Sequence, residues 1–375
     1  MEKTKVIHVL NSVGGVDVSL RLILDNCNTK EFENIVIHGI NDTKRSYQDK
    51  NKNNLKEYKL SIQREISLFS DFKAVINTIK ILKKEKPSII HSHSAKGGII
   101  ARTASLFYKV NVLHTPQAYS YLSSPKGIKR NMFLLIEKFF KNINSILVAS
   151  SQSELNRGLN EVGYKKSKAL LFNNSINPIQ INSSDNISIS LPDNFICSVG
   201  RPSFQKNIEM MVEVIREVKI KTPNIHLVLM GVGEYSPNKE SVEKLIEEYG
   251  LAENITLIPW IAREEIFKII NKSKLYISTA RYEGLPYSII ESLALGKACV
   301  VTDSDGNRDL VKNEINGYVV KENDVKTMAN RIFALYNDLE LLKKFEKESL
   351  LSFNTSFNIE NNIKQLELFY EKYSK

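Results

Sequence analysis

The sequence predicts an α/β protein of two doubly wound domains, each a parallel sheet with helices on both faces. Three observations lead there. Short β-branched runs alternate with stretches of helical period along nearly the whole chain, the pattern of strand–helix–strand units. The alternation pauses once, at 173–190, where NNSINPIQINSSDNISIS carries Asn, Ser, Pro178 and isolated Ile but no helical face. The length, 375 residues, suits two domains that can each bury a core. The expected division is 1–180 and 181–357, with a last helix at 358–375.

Strands are expected at 5–10, 34–40, 88–92, 111–115, 145–149 and 169–173, then at 194–200, 225–231, 255–260, 275–279, 298–302 and 317–320. Helical period is clearest at 71–86, where Phe72, Val75, Ile76, Ile79 and Leu82 share one face. The stretches 210–218 and 324–335 repeat it. At 358–375, Ile359, Ile363, Leu366, Phe369 and Tyr373 make a final amphipathic helix. In open α/β sheets ligands gather at the carboxyl ends of the strands, so the loops that follow the strands hold the candidate site.

Composition narrows the class. Hydrophobic residues make up 42% and charged residues 25%, which excludes wholesale disorder and collagen-like structure. Cys27, Cys197 and Cys299 lie far apart and form no CxxC, so free thiols in a reduced compartment are expected. The apolar run at 6–10 is too short for a signal peptide. No stretch of about eighteen uncharged apolar residues occurs, so a cytoplasmic location is expected, with the inner face of the cell membrane as a peripheral site. The net charge of +10 is uneven: residues 1–190 hold 28 basic and 15 acidic side chains, residues 191–375 hold 24 and 27. All of the positive excess belongs to the first half.

Four loops carry chemistry. Gly14-Gly15 stand between the first strand and a helix, where backbone N–H groups can approach a phosphate; G-x-G-x-x-G is absent, which disfavours a dinucleotide. Gly200-Arg201-Pro202-Ser203-Phe204-Gln205-Lys206-Asn207 offers two cations suited to a diphosphate. Gly231-Val232-Gly233-Glu234 is a lone GxG at another strand end. The sharpest is the segment at 278–291. There Glu283 sits in the loop, Gly284 and Leu285 precede a helix, and Glu291 lies among Ile289, Ile290, Leu293 and Leu295. A carboxylate so surrounded needs a partner.

The Glu283–Glu291 spacing, E-x7-E with E-G-L-P inside it, and the upstream G-R…K-N loop resemble glycosyltransferase family 4, a retaining family. Supporting pieces are Gly14-Gly15, His91-Ser92-His93-Ser94-Ala95-Lys96-Gly97-Gly98, Thr302-Asp303 and Gly317. The resemblance implies the GT-B fold: two Rossmann-like domains facing across a cleft, with the last helix crossing back to the first. It implies that Glu291 binds the ribose hydroxyls, Glu283 the transferred sugar, and Arg201 and Lys206 the diphosphate. Gly14 and Gly15 would close over the donor. Gly231, Gly284, Leu285 and Pro286 would line it, and Trp260 would meet the base.

One departure concerns the acceptor side. Relatives carry a His in a Thr-Pro-His segment, but here it reads Thr115-Pro116-Gln117, and an amide cannot exchange a proton. The resemblance accommodates this, because the leaving diphosphate takes the acceptor proton. Gln117 and His93 are then expected on the sugar or acceptor side.

Fixed cations aimed at the departing diphosphate stabilise the transition state more than the ground state. No cofactor is expected; the nucleotide-sugar, a UDP-sugar by resemblance, is a substrate. Asp303-Ser304-Asp305 could chelate a metal, but none is expected.

The implied partners are that donor and a saccharide or lipid-linked acceptor of bacterial surface polysaccharide. The basic, aromatic stretch 127–142 suits an anionic membrane surface or a core helix with a solvated basic rim. Two competing classes are a non-hydrolysing nucleotide-sugar epimerase of the same fold and a basic nucleic-acid-binding protein. For the latter no recognition motif is present.

Overall fold

The computed structural model describes residues 3–12, 14–63, 67–124, 127–181, 187, 189–233 and 236–374. Most of the expected 173–190 connector beyond residue 181, and Val13, Lys126 and Glu234, lie outside that set. The chain divides into two units, Met1–Asn177 with Asn358–Lys375, and Pro178–Phe357.

The first unit runs β1 (Thr4–Val9), α1 (Gly15–Asn26), β2 (Phe32–Gly39), β3 (Lys56–Leu60), α2 (Leu68–Glu85), β4 (Ile89–His93), α3 (Ser94–Ser105) and β5 (Val112–Thr115). It continues through α4 (Ile128–Phe140), β6 (Ser145–Ala149), α5 (Gln152–Arg157) and β7 (Ala169–Leu171). Its sheet is parallel, in the order β3-β2-β1-β4-β5-β6-β7.

The second unit runs β8 (Ile196–Val199), α6 (Ile208–Lys221), β9 (Leu227–Met230), α7 (Lys239–Glu248), β10 (Ile255–Ile258), α8 (Arg263–Lys272) and β11 (Tyr276–Ser278). Then come α9 (Tyr287–Ala294), β12 (Cys299–Thr302), α10 (Asp305–Leu310), β13 (Gly317–Val320), α11 (Val325–Asn337) and α12 (Leu339–Ser356). The order of its parallel sheet is β10-β9-β8-β11-β12-β13.

Two differences from the sequence reading have plain causes. Strand β3 was not expected, because KEYKL carries three charges in five residues; it is an edge strand paired only with β2, where charge is tolerated and guards against further pairing. Several expected strands also stop early. Gly200, Gly231, Trp260 and Thr279 fall in the loops after β8, β9, β10 and β11, which frees them for the site.

The last helix, α13 (Ile359–Tyr373), belongs to the first unit. The Ile359 N–H donates to the Ile176 carbonyl at 3.0 Å, and the Asn28 N–H donates to Glu367 at 2.8 Å. Tyr370 is fully buried, its hydroxyl 2.8 Å from His91 Nδ1.

That tyrosine caps an unusual core. His8 on β1 pairs in register with His91 on β4, and strand alternation puts His93 on the same face. All three are buried. His8 Nε2 lies 3.0 Å from Asn34 Oδ1 and Nδ1 3.1 Å from His93 Nε2, while His91 Nε2 is 2.9 Å from Thr115 Oγ1.

Burial holds these rings neutral: His8 is pushed down to about 4, and His91, His93 and His114 fall well below the usual histidine range. A base depressed in the native state contributes stability above its unfolded value near 6.5, and loses it as pH falls toward the native one. His8 alone is then worth about 3 kcal/mol between pH 6.5 and 4. Urea midpoints should fall steadily from pH 7.5 to 5.0, and His8→Asn should flatten that slope. A midpoint constant over this range would show that the rings do not resist protonation.

Candidate functional site

Within the second unit the loops after β8 and β11 are stitched together. Thr279 Oγ1 donates to the carbonyls of Lys206 and Asn207 at 3.0 and 2.9 Å. The Arg281 N–H donates to the Gln205 carbonyl at 2.8 Å, and its guanidinium to the Phe204 carbonyl at 2.6 Å. Asn207 takes a left-handed turn, φ 51°, at the start of α6.

This frame brings Lys206 to Glu283. Lys206 Nζ stands 2.7 Å from Glu283 Oε1, and Gln205 Nε2 donates to Oε2 at 3.3 Å. Glu283 is buried, so the pair is a partly desolvated charge couple beside the short turn Gly284-Leu285-Pro286 that opens α9. Arg201 follows Gly200 directly after β8 in the same loop.

A second couple lies next to it in the chain fold. Glu291 is buried on α9. Arg263, the first residue of α8, donates to its Oε1 through Nε at 2.9 Å and Nη2 at 2.5 Å. Burial raises the Glu291 carboxyl above the ordinary glutamate value, and the guanidinium opposes that shift. The sequence demanded a partner for Glu291 without naming it; the partner is Arg263, twenty-eight residues away.

Three residues before Arg263, Trp260 is 61% exposed. Its indole lies against Gly233, where an added Cβ would come within 2.9 Å of the ring. Gly231 has φ +93°, backbone that favours glycine. The unit thus gathers an open aromatic plate, a glycine turn and two carboxylate–cation couples around the carboxyl ends of β8–β11.

In the first unit, Gly14 has φ +61° at the start of α1, with Gly15 the first helical residue. Asp17 anchors this turn: it accepts from the Ser12 hydroxyl at 2.7 Å and from the Tyr47 hydroxyl at 2.8 Å. After β4 and β5 the backbone is strained, with φ of 62° at Ser94, 53° at Gln117 and 74° at Ala118. The Ser94 hydroxyl and both amide atoms of Gln117 are buried without a hydrogen bond among the described residues. Such strain and such unsatisfied groups concentrate where ligands bind.

His93 lies deep in the first unit. It has no exposed surface; its ring stacks on His8 and lies tilted against His91, on the face of β4 that it shares with His91.

Two groupings bear on metals. Asp303 and Asp305 both pair with Arg308, at 2.9 and 2.8 Å, which leaves a chelating role in competition with an existing cation. Ring nitrogens of His8, His91 and His93 lie within 4.8 Å of one another; the rings bond to Asn34, Thr115, Tyr370 and each other, and His93 Nδ1 is buried without a hydrogen bond among the described residues.

Two parallel sheets wrapped by helices, with the candidate loops at the strand ends, place the chain among α/β proteins of two doubly wound units, and comparison with known proteins narrows that class. The model for "Glycosyl transferases group 1" matches residues 180–350, and that for "Glycosyl transferase 4-like" matches residues 7–150. The chain is 26% identical to the UDP-Gal:alpha-D-GlcNAc-diphosphoundecaprenol alpha-1,3-galactosyltransferase of Escherichia coli, over 82% of this chain and 81% of that one. It is 24% identical to the capsular polysaccharide biosynthesis glycosyltransferase CapM of Staphylococcus aureus, over 100% and 99%.

Among solved structures, sucrose-phosphate synthase of Thermosynechococcus elongatus superposes with a TM-score of 0.84 at 17% identity, covering 99% of both chains. Anabaena Alr3699/HepE, in complex with UDP and glucose, gives 0.82 at 14%, covering 99% of this chain and 100% of that one. The chain belongs to the group 1 glycosyl transferases and has the GT-B fold. That membership sets aside the epimerase reading.

Proposed function

We propose that the chain transfers a sugar from a UDP-sugar to a saccharide or lipid-linked acceptor of bacterial surface polysaccharide. In this reading the anomeric configuration is retained and no metal is used. The observation that carries it is the Lys206–Glu283 couple at 2.7 Å in the loop shared with Arg201. Lys206 and Arg201 hold the diphosphate and take up the charge that grows on it as the glycosidic bond breaks. Glu283 accepts hydrogen bonds from the transferred sugar, and Glu291 from the ribose. Trp260, with the Gly231 turn, receives the base, and Gly284, Leu285 and Pro286 line the phosphates; by resemblance to the family Gly14 and Gly15 also serve the donor, through backbone N–H groups at the start of α1. Gln117 binds sugar or acceptor hydroxyls, for which an amide with an idle donor and an idle acceptor is well matched. The departing diphosphate takes the acceptor's proton on the face where the new bond forms. Names among the relatives support the donor and the acceptor: one uses UDP-Gal and a diphosphoundecaprenol-linked sugar, and HepE binds UDP.

A ligand that binds only the folded state raises Tm by mass action, by about 2.7 kcal/mol of stability at a hundredfold excess over Kd. In a thermal-shift screen UDP should raise Tm more than GDP or ADP, with and without excess EDTA. A shift by GDP alone would change the donor, and loss of the UDP shift and of turnover in EDTA would overturn the metal-free reading.

The membrane is the second part of the proposal. Among the described residues no helix is long and apolar enough to cross a bilayer. On α4, however, Ile128, Met132, Leu135 and Phe139 form one stripe, with Ile128 90% and Leu135 and Phe139 each 64% exposed. Lys129, Arg130, Lys138 and Lys141 flank it. On α2, Phe69, Phe72 and Ile76 are exposed on one face as well. An apolar stripe edged by cations suits the interface of an anionic leaflet. Flotation should show binding to vesicles with anionic lipid that weakens with salt, and Leu135→Glu with Phe139→Glu should abolish it. Equal recovery of protein with and without anionic vesicles would sink the idea.

A further inference from the structure

The donor-side couple of Arg263 and Glu291 supports more than a salt bridge. We propose that Arg263 is a positioning residue: it grips one oxygen of Glu291 and presents the other to the ribose hydroxyls of the nucleotide. This rests on the reading of Glu291 as the ribose acceptor given above.

The grip is end-on. Both Nε and Nη2 of Arg263 donate to Oε1, at 2.9 and 2.5 Å, and Oε2 takes no hydrogen bond among the described residues. A fork-to-fork arginine pair would occupy both oxygens; this one leaves the second for a ligand. The guanidinium is itself held in place, its carbon 5.3 Å from the Phe267 ring centre one turn along α8. Trp260 lies three residues upstream, so the plate proposed for the base and the cation behind the ribose carboxylate share one segment.

Charge makes the arrangement necessary. Glu291 stands among Ile289, Ile290 and Leu293, all fully buried, where a carboxyl group favours its neutral form. A neutral carboxyl keeps a proton on one oxygen and loses an acceptor site; the ionised group accepts at both. Among the described residues, on α8 and on the helices α10 and α12 that pack against α9, Arg263 is the one charged group that acts on Glu291. Without it, the carboxyl should stay protonated further up the pH scale, and nucleotide binding should then strengthen as pH rises.

The test is calorimetric titration of UDP and 2′-deoxy-UDP from pH 6.0 to 8.5, on wild type, Arg263→Met, Arg263→Lys and Glu291→Gln. Wild type should bind UDP with only the pH dependence that ionisation of the nucleotide's terminal phosphate brings, and prefer it to the deoxy form by about tenfold, the size of one hydrogen bond to a charged group. Measured against wild type at the same pH, Arg263→Met should bind UDP about tenfold more weakly at pH 6.5, approach parity toward pH 8.5, and lose the preference at the acid end. Arg263→Lys, which keeps the charge, should follow the wild-type profile. A merely structural arginine would shift affinity equally at every pH, and that result, or wild-type binding by Arg263→Met, would overturn the proposal. If Glu291→Gln weakens UDP and erases the preference while Arg263→Met does neither, only the role of Arg263 falls. If Glu291→Gln also binds and discriminates as wild type does, the ribose reading itself falls.

Discussion

Replacing Lys206 by alanine should lower turnover by about 10²–10³-fold, the loss seen when one fixed donor to a developing negative charge is removed. The lysine stands 2.7 Å from Glu283 in a loop pinned by Thr279 and Arg281, so its position is set before substrate arrives and no reorganisation is needed during the reaction. The same substitution leaves the buried Glu283 with Gln205 as its remaining described partner, and an unpaired buried carboxylate is destabilising. The two effects separate in the double variant Lys206→Ala with Glu283→Gln. Its Tm should return toward wild type, because the unpaired carboxylate is gone, while turnover stays low, because neither the lysine nor the sugar-binding carboxylate is restored. A Lys206→Ala enzyme that keeps near-wild-type turnover at saturating donor would remove the lysine from the chemistry.

The largest stability effect is expected in the first unit. Arg102 on α3 and Glu137 on α4 are both buried. Arg102 donates through both terminal nitrogens to Glu137 Oε2 at 3.2 Å and through Nε to the Gly98 carbonyl at 2.9 Å. The guanidinium also lies 5.1 Å from the Phe140 ring centre. Glu137→Ala strands that cation in the interior, at a cost of about 3–5 kcal/mol. For a unit of this size that is a fall in Tm of roughly 10 °C. Removing both charges together, as Arg102→Met with Glu137→Leu, should recover most of the loss, since a buried pair is often no better than apolar residues of its volume. If Glu137→Ala melts within 2 °C of wild type by scanning calorimetry, roughly the shift of a sub-kcal/mol change, the pair does not bear on stability.

How much of this was visible beforehand depends on the distance over which each feature is encoded. The strand–helix alternation is local, and every strand expected from it exists, though trimmed where an apolar run continues into a site loop at Gly200, Gly231 and Trp260. Strand β3 escaped because an edge position relaxes the demand for apolar residues. Glu283 and Glu291 were legible because their spacing lies within one loop and one helix. Arg263 was not, since only the return of the chain through α8 brings it to Glu291.

Parity shows that His91 and His93 share a face, but not that β1 and α13 seal it. On α4 the amphipathic pattern was plain, yet whether its stripe packs or faces solvent is a tertiary matter, and Ile128, Leu135 and Phe139 are open.

The return of α13 to the first unit also has a consequence for synthesis. The ribosome delivers β1–β7, then all of Pro178–Phe357, and only afterwards the helix whose Tyr370 closes over His91. Domains generally fold as units while the chain emerges, so the second unit, which is contiguous, can complete itself first. The first must wait with His8, His91 and His93 uncovered. Released chains truncated after Phe357 should therefore protect the later-made unit from protease while leaving the earlier-made one open, an order of maturation opposite to the order of translation.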